Sequence, residues 1–283
     1  MRGAEDIDHV LTRMAEVDAD VWVLQGVDYD LGEEALSRFA AEAGYPHSFA
    51  KAPNSGLRSG TDLDGDGRAG RPRDSQSFGW FSGQGGMAVL SRFPLSLRAD
   101  RSELIWSEIP WATPPETMTA EARAIQRLSS TAHWALDVAT PGGPLTVITA
   151  HVTPPVFDGP EDRNGLRNAD EIRLLAEMLE ASPGPAIVAG NFNLDPGRGE
   201  GRREEIARLL SHPRLQDPLP GAVTVDFGPD SAGRLRVSYV LPTRDVEVRA
   251  AAVGALPAGA AATDIERTRH APVWVDISVP SGG

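Results

Sequence analysis

A chain of 283 residues with 41% hydrophobic and 24% charged residues has the composition of a globular protein, which excludes a wholly disordered chain. Its net charge of −13 repels phosphate backbones. Binding of bulk nucleic acid is therefore not expected unless a local basic groove or a bound cation reverses the field. The chain has no cysteine, which excludes disulfides and thiolate metal sites.

The sequence carries no sign of a membrane anchor. No apolar run reaches the roughly 18 residues that a membrane helix needs, and residues 1–6 lack the apolar core of a signal peptide. As written, the sequence predicts a soluble, cytoplasmic protein, and a true N-terminus upstream of Met1 would leave an extracytoplasmic location open. No pattern predicts the oligomeric state.

In the first third of the chain, apolar positions at helical spacing alternate with short apolar runs. The spacing predicts a helix over about 7–17 and a second helix over about 32–43, ended by Gly44. Two nearly continuous apolar runs, 20–25 and 86–90, predict strands that are buried on both faces. The polar, glycine-rich stretch 51–79 predicts a long loop.

The rest of the chain continues this alternation. We expect helices near 172–179 and 202–210, and strands at 125–138, 145–151, 186–189, 235–241 and 272–277. Alternating strands and helices predict an α/β fold, and buried strands on both sides of long loops favour two packed mixed β-sheets over one open sheet. We predict a single domain over 1–278 and a frayed tail over 279–283.

Six short segments at strand ends form an ordered pattern, over 18–28, 86–94, 149–151, 190–193, 236–240 and 268–273. In this order they resemble the motifs of the endonuclease/exonuclease/phosphatase superfamily, whose members are metal-dependent phosphoesterases. Each segment alone is weak evidence of a relationship, whereas six segments in the same order span most of the chain. The resemblance implies a four-layer α/β sandwich in which two mixed sheets are flanked by helices.

The resemblance also implies roles for particular residues. His151 would be the phosphate-side catalytic histidine, His270 the general-base histidine, and Asn193 the residue that orients phosphate or water. A divalent cation, magnesium or manganese, would polarise the phosphate of a phosphodiester or phosphomonoester.

The sequence departs from the family pattern where the metal ligands are expected. Gly26 stands in the place of the metal-binding glutamate, and Asn191 and Ser238 each stand in the place of an aspartate. Arg269 replaces the aspartate before the terminal histidine, which inverts the local charge. Asn191 remains a candidate metal ligand.

Two nearby acids could compensate, since Asp28 lies two residues beyond Gly26 and Asp195 two beyond Asn193. Ordinary solvated loop acids are the alternative. The family's first strand, which ends in a metal-binding asparagine, has no counterpart ahead of the first helix. We therefore expect the natural protein to extend upstream of Met1, because losing a central strand leaves its neighbours' backbone groups unpaired.

Two further sets of residues are candidates for binding. Asp62, Asp64 and Asp66 occupy alternate positions before a glycine, as at the start of a calcium loop. A structural calcium ion and a plain acidic surface loop are both open. Arg163 and Arg167, predicted in the loop after His151, are candidates for binding an anionic substrate.

Two functions follow from these patterns. One is a phosphoester hydrolase with an altered metal site, and the other is a catalytically degenerate protein that keeps the fold and binds a phosphoester. In either case the acidic charge favours a small phosphoester or a polar headgroup over bulk nucleic acid.

Overall fold

The computed structural model describes the backbone of residues 4–255 and 270–279. Five α-helices alternate with twelve strands in this part of the chain, which confirms the predicted α/β fold. The helices are α1 Ala4–Val17, α2 Glu34–Glu42, α3 Ala120–Ile125, α4 Arg163–Glu180 and α5 Arg203–Leu210.

The twelve described strands form two larger sheets and two hairpins. They are β1 Val21–Val27, β2 His47–Phe49, β3 Gly86–Ser91, β4 Leu95–Asp100, β5 His133–Thr140, β6 Gly143–His151, β7 Ala186–Asn191, β8 Val225–Asp226, β9 Arg234–Leu235, β10 Ser238–Pro242, β11 Glu247–Val253 and β12 Val273–Ser278. One sheet has the order β1-β3-β2 and the other β10-β7-β6-β5-β4. The strands β11-β12 and β8-β9 pair separately.

The five-stranded sheet organises the main core. The strands β6 and β7 run parallel, and the other neighbours in this sheet are antiparallel. Helices α4 and α5 pack on one face of this sheet through a cluster that includes Ile148, Leu175, Val188 and Ile206, all at most 1% exposed. At about 25 cal/mol per Å², burying these side chains is the main stabilisation of this half of the molecule.

The second face of the five-stranded sheet meets the smaller sheet. Leu145 and Val147 on this face contact Val21 and Val23 of β1. The same cluster includes Ile277 of β12, so β1 and the β11-β12 hairpin lie over one face. The domain therefore has four layers in the order helices, sheet, sheet, helices. This is the layer order that the family resemblance implied.

Several local predictions were wrong. Residues 120–125 form helix α3, which is capped by the Thr119 side chain at the amide of Ala122, so the strand predicted at 125–138 begins only at His133. The strand predicted over 235–241 is broken into β9 and β10. The strand predicted as buried at 20–25 is only partly buried, at all seven positions of β1. Of the predicted tail, 280–283 lie outside the described residues.

Candidate functional site

The parallel pairing of β6 and β7 positions the first two candidate residues. His151 is the last residue of β6 and is in register with Asn191, the last residue of β7. Nδ2 of Asn191 lies 3.4 Å from Nε2 of His151. Both side chains line a cavity of about 1880 Å³.

The backbone around Asn191 depends on one glycine. A Cβ atom on Gly190 would lie 2.1 Å from the carbonyl oxygen of Ala150, so a side chain there would collide with the neighbouring strand. Asn193 then adopts a left-handed φ of 50°. Its amide donates to Oδ1 of Asn191 at 3.0 Å, and its Nδ2 donates to the Val152 carbonyl at 2.7 Å. These contacts hold Asn193 at the cavity wall.

His270 reaches the same cavity from the C-terminal part of the chain. It forms an isolated β-bridge with Val225, and the Phe227 ring packs edge-on against the imidazole with centroids 6.0 Å apart. His270 is exposed at the cavity mouth. Arg269, the predicted charge inversion, lies outside the described residues.

Both cavity histidines are uncharged at neutral pH. Burial lowers the pKa of His151 to about 4, and the nearby His270 lowers it further. Desolvation also lowers the pKa of His270, although that ring is exposed at the mouth. Nδ1 of His151 is buried and has no hydrogen-bond partner among the described residues. Neutral imidazoles donate and accept hydrogen bonds but supply no positive charge to the cavity.

Gly26, near the end of β1, has an irregular backbone as well as no side chain. Gly26 has a left-handed φ of 72° and lies in a bulge of the β1-β3 pairing between Gln25 and Val27. Nε2 of Gln25 donates to the Ala150 carbonyl at 3.4 Å, and its buried Oε1 has no partner in the described part of the chain. Sequence reasoning missed Gln25 as a cavity residue, although Gln25 directly precedes Gly26 in the chain.

Of the two predicted replacement acids, the structure brings one to the cavity. Asp28 lies just beyond β1, where its carboxylate accepts the Gly85 amide at 2.8 Å. Asp195 lines the cavity, but Oδ1 accepts the amides of Gly197 and Arg198 and Oδ2 accepts the amide of Arg236. The Asp195 carboxylate therefore already accepts hydrogen bonds from three backbone amides, two of them in the turn that follows it.

Ser238 lies beside Asn191. It is the first residue of β10, is in register with Asn191 in the β10-β7 pairing, and lines the cavity. Positions 191 and 238, which the sequence singled out together, are thus neighbours across two strands.

The two predicted substrate-binding arginines lie on α4, not in a loop. Arg163 donates to the Leu63 carbonyl at 2.8 Å. Arg167 is 4% exposed, and its guanidinium donates to the carbonyls of Gln76, Arg127, Leu128 and Ser129. Arg167 therefore joins α4 to the neighbouring loops. Two other arginines line the cavity, Arg13 of α1 and the exposed Arg198, and sequence reasoning missed both.

The acidic loop brings together a different third carboxylate from the one predicted. Oxygens of Asp62, Asp64 and Asp74 lie within 4.8 Å of one another and could hold a metal ion. Asp66 instead pairs with Arg71 at 2.7 Å. Burial, together with the charges of Asp66 and Asp74, raises the pKa of Asp64. Within the described part of the chain, this is the one group of three acidic or histidine side chains arranged this way.

None of the described helices combines the length and apolar character that crossing a bilayer requires.

Comparison with known proteins identifies the fold. The model of the endonuclease/exonuclease/phosphatase family matches residues 1–274. The chain is similar to an endonuclease/exonuclease/phosphatase from Beutenbergia cavernae, with 17% identity and a TM-score of 0.64, over 98% of this chain and 67% of that one. No curated protein sequence matches significantly.

Two further solved structures share the fold. The 3′ phosphatase NExo from Neisseria, bound to a product DNA hairpin, has 17% identity and a TM-score of 0.56, over 97% of this chain and 95% of that one. The human Nocturnin catalytic domain with a bound sulfate anion has 15% identity and a TM-score of 0.55, over 98% of this chain and 87% of that one. The family match over nearly the whole chain and the shared layers lead to one conclusion: this chain belongs to the endonuclease/exonuclease/phosphatase family.

Proposed function

We propose that this protein binds a small phosphoester in the cavity at His151, Asn193 and His270 and does not hydrolyse it with a carboxylate-held metal. The observation that carries the proposal is the set of polar groups at the cavity wall. Beside His151 lie amides and a hydroxyl, and the one predicted replacement acid that reaches the cavity, Asp195, is occupied by three backbone amides. Magnesium and manganese favour charged oxygen ligands, so this donor set does not fit either cation.

The low basicity of His151 supports the same proposal. A general base works best when its pKa lies near the working pH. His270, the residue predicted to be the general base, has a pKa lowered to about 4 and is a poor acceptor for a proton from water at pH 7. Neutral His151 has a pKa of about 4 as well and holds a proton equally weakly. Its imidazole and the Asn193 amide remain suited to hydrogen-bonding phosphoryl oxygens.

The net charge of the protein favours a small ligand over a long one. A net charge of −13 opposes a long polyanion, because phosphates outside the cavity would meet an acidic surface. A single phosphate group on a small ester or a polar headgroup meets only the cavity, whose lining includes Arg198 as well as the acidic Asp158, Asp195 and Glu200. The DNA in the Neisseria structure belongs to that protein, and an oligonucleotide is therefore one of the ligands to test.

A second candidate function is phosphoester hydrolysis with an altered ligand set. Its support is the convergence of His151, Asn191, Asn193 and Asp195 on one cavity in a family that includes phosphatases. A magnesium or manganese ion would then be held by Asn191 and Asp195 and would stabilise charge on the phosphate. This function requires the Asp195 carboxylate to leave its present backbone partners.

Hydrolysis and binding are measured on the same variants to separate these functions. The native chain is assayed with p-nitrophenyl phosphate, bis(p-nitrophenyl) phosphate and a short oligonucleotide, each with magnesium, manganese or calcium. Binding of inorganic phosphate and the same esters is measured by calorimetry. Our proposal predicts binding that His151→Gln and Asn193→Ala weaken by about tenfold, which corresponds to about 1.4 kcal/mol, and no turnover.

Restored variants provide the control. Asn191→Asp with Ser238→Asp is tested with and without Gly26→Glu, because a left-handed backbone makes glutamate unfavourable at position 26. Metal-dependent turnover that appears only on restoration supports the proposal. Turnover by the native chain that disappears in His151→Gln would establish the hydrolase instead.

For the acidic loop we propose a structural calcium ion held by Asp62, Asp64 and Asp74. The closeness of the three carboxylates supports it. Burial is the main cause of the raised pKa of Asp64, and the charges of Asp66 and Asp74 add to it, which a bound cation would offset. Because Arg163 of α4 donates to Leu63 within this loop, ordering the loop would also fix its contact with α4.

A further inference from the structure

Phe157, in the loop that follows β6, lies at the cavity wall with an unusual backbone conformation. Its φ of 71° is left-handed, and its side chain is 82% exposed. A left-handed φ is a genuine outlier for a bulky residue, because Cβ crowds the following carbonyl oxygen. Among the exposed large apolar side chains of the described residues, Phe157 is the one that combines this conformation with a place in the cavity lining.

The residues on either side of Phe157 hold this conformation in place. Asn164 of α4 donates from its backbone amide to the Asp158 carboxylate, and its Nδ2 donates to the Val156 carbonyl at 2.6 Å. The loop is therefore anchored to the first turn of α4 before and after Phe157, while the ring itself stays exposed. Strained backbone that the surrounding structure maintains is typical of ligand-binding sites.

A second loop, over 195–201, adjoins the loop that carries Phe157. A Cβ atom on Gly201 would lie 2.8 Å from Cβ and Cγ of Pro155, so the two loops are in direct contact there. The exposed Arg198 lies on this second loop, and both Arg198 and Phe157 line the cavity. Two adjoining loops thus present a cation and an exposed flat ring to the same space.

We propose that Phe157 selects phosphoesters whose organic group is a flat aromatic ring, either an aryl group or a nucleobase, by stacking on that ring. This inference rests on the proposed function, because it requires the phosphate to lie at His151 and Asn193 in the same cavity. Aromatic rings that pack offset or edge-on attract each other beyond the gain from burying their surface. A bound ring would also cover the exposed face of Phe157.

The chemistry of the surrounding wall favours a ring over other organic groups. Asp158 and Glu200 line the cavity near Phe157 and Arg198, and their carboxylates repel a second phosphate. A ligand with one phosphate is therefore preferred to a polyphosphate. A single exposed ring makes its largest contact with another flat ring, whereas a flexible polyol or alkyl group loses conformational freedom when it is ordered on the ring.

Calorimetry on the full chain with matched pairs of esters tests the proposal. One pair is phenyl phosphate and cyclohexyl phosphate, and the other is adenosine 5′-monophosphate and ribose 5-phosphate. Each affinity is divided by that for inorganic phosphate, which has no ring. We expect the flat member of at least one pair to bind about tenfold more tightly than its partner. Preference in the first pair identifies an aryl group, and preference in the second identifies a nucleobase.

Two variants of Phe157 separate stacking from a structural role. Phe157→Leu keeps an apolar side chain without a flat ring and should lose the preference. Phe157→Asn places a residue that tolerates a left-handed backbone, so its urea midpoint should be no lower than that of the native chain. A clear fall in this midpoint would show that the ring stabilises the fold by packing, which overturns the proposal.

The outcomes also distinguish this proposal from the proposed function. Equal relative affinities within both pairs, or a preference that persists in Phe157→Leu, would overturn the role of Phe157 and leave phosphoester binding in place. If the native chain binds none of the esters and no inorganic phosphate, both proposals are wrong.

Discussion

The two faces of the five-stranded sheet differ in how completely they are covered. Toward α4 and α5, the sheet is packed by side chains such as Leu175 and Val188, which are fully buried. Toward α1, its apolar residues meet β1 and β12, which are edge strands among the described residues and whose positions are mostly only partly buried. The apolar runs in sequence are similar on both sides. The difference shows that burial of a strand depends on pairing at both edges as well as on its own residues.

We call the face toward α4 and α5 the closed side and the face toward α1 the open side. On the closed side, the buried charge of Glu171 is paired with hydrogen-bond donors. Glu171 on α4 is fully buried, and its carboxylate accepts the amides of Ser130 and Thr153 and the Ser130 hydroxyl at 2.6 to 2.8 Å. On the open side, Gln25 keeps a buried oxygen without a partner among the described residues. Uncharged buried oxygens without a partner among the described residues occur on the closed side too, at Oδ1 of Asn168 and Oγ1 of Thr153, so the contrast concerns the charged Glu171.

The largest effect that would test this contrast is loss of Glu171. Glu171→Ala leaves three buried donors unpaired and is expected to lower the free energy of unfolding by about 4 kcal/mol. The matched change on the open side, Gln25→Ala, removes one long hydrogen bond and is expected to cost less than about 1 kcal/mol. Urea unfolding of both variants measures this. Equal losses would mean that the two faces are equally well satisfied.

A pair of leucines tests the packing itself. Leu175→Ala on the closed face is expected to cost about 3 kcal/mol, because a fully buried leucine leaves a cavity. Leu24→Ala in partly buried β1 is expected to cost about 1 kcal/mol. Unfolding midpoints with unchanged denaturant dependence give both values. A loss in Leu24→Ala as large as that in Leu175→Ala would contradict looser packing around β1.

The cavity histidine gives a pH-dependent contrast. Unfolded histidine binds a proton near pH 6.5, whereas folded His151 stays neutral down to about pH 4. The unfolded state therefore gains protons first. Stability is retained above pH 6.5 and falls by about 2 kcal/mol between pH 6.5 and 4, allowing for the partial exposure of this ring. Unfolding at pH 7 and pH 5 measures the loss, and His151→Gln should reduce it. An unchanged slope in that variant would show that other groups cause it.

The smallest expected effect concerns the acidic loop. Calorimetry with calcium chloride should show that Asp64→Asn weakens binding by about tenfold, since one charged ligand is lost. Asp66→Asn should leave it nearly unchanged, because Asp66 pairs with Arg71. A larger loss of calcium binding in Asp66→Asn than in Asp64→Asn would favour the ligands that the sequence pattern predicted over those that lie together in the structure. Absence of calcium binding by the native chain would make this a plain acidic loop.

Sequence patterns predicted the elements whose apolar residues repeat regularly, and missed those whose position is set by distant contacts. The strands that end at His151 and Asn191 were predicted closely, because continuous apolar runs are typical of central strands. Helix α3 is only six residues long and was missed, because a single capped turn has too few positions to show a period.

The candidate site was predicted in part for the same reason. The ends of the parallel strands β6 and β7 bring positions 151 and 191 together, and the start of the antiparallel β10 places position 238 beside 191, so strand-end positions could be predicted to converge. The role of Arg167 could not, because its four carbonyl partners come from residues 38 to 91 positions away. The choice of Asp74 over Asp66 depends on how the loop folds back, which local spacing does not encode.

The left-handed backbone at Gly26 has a consequence for engineering a metal site into this protein. At positions 191 and 238 an acidic residue needs only a change of side chain, since neither has a positive φ. At position 26 glutamate would cost about 1 to 2 kcal/mol in the present conformation, and the bulge would have to be removed as well. An acidic ligand is therefore hardest to introduce at position 26.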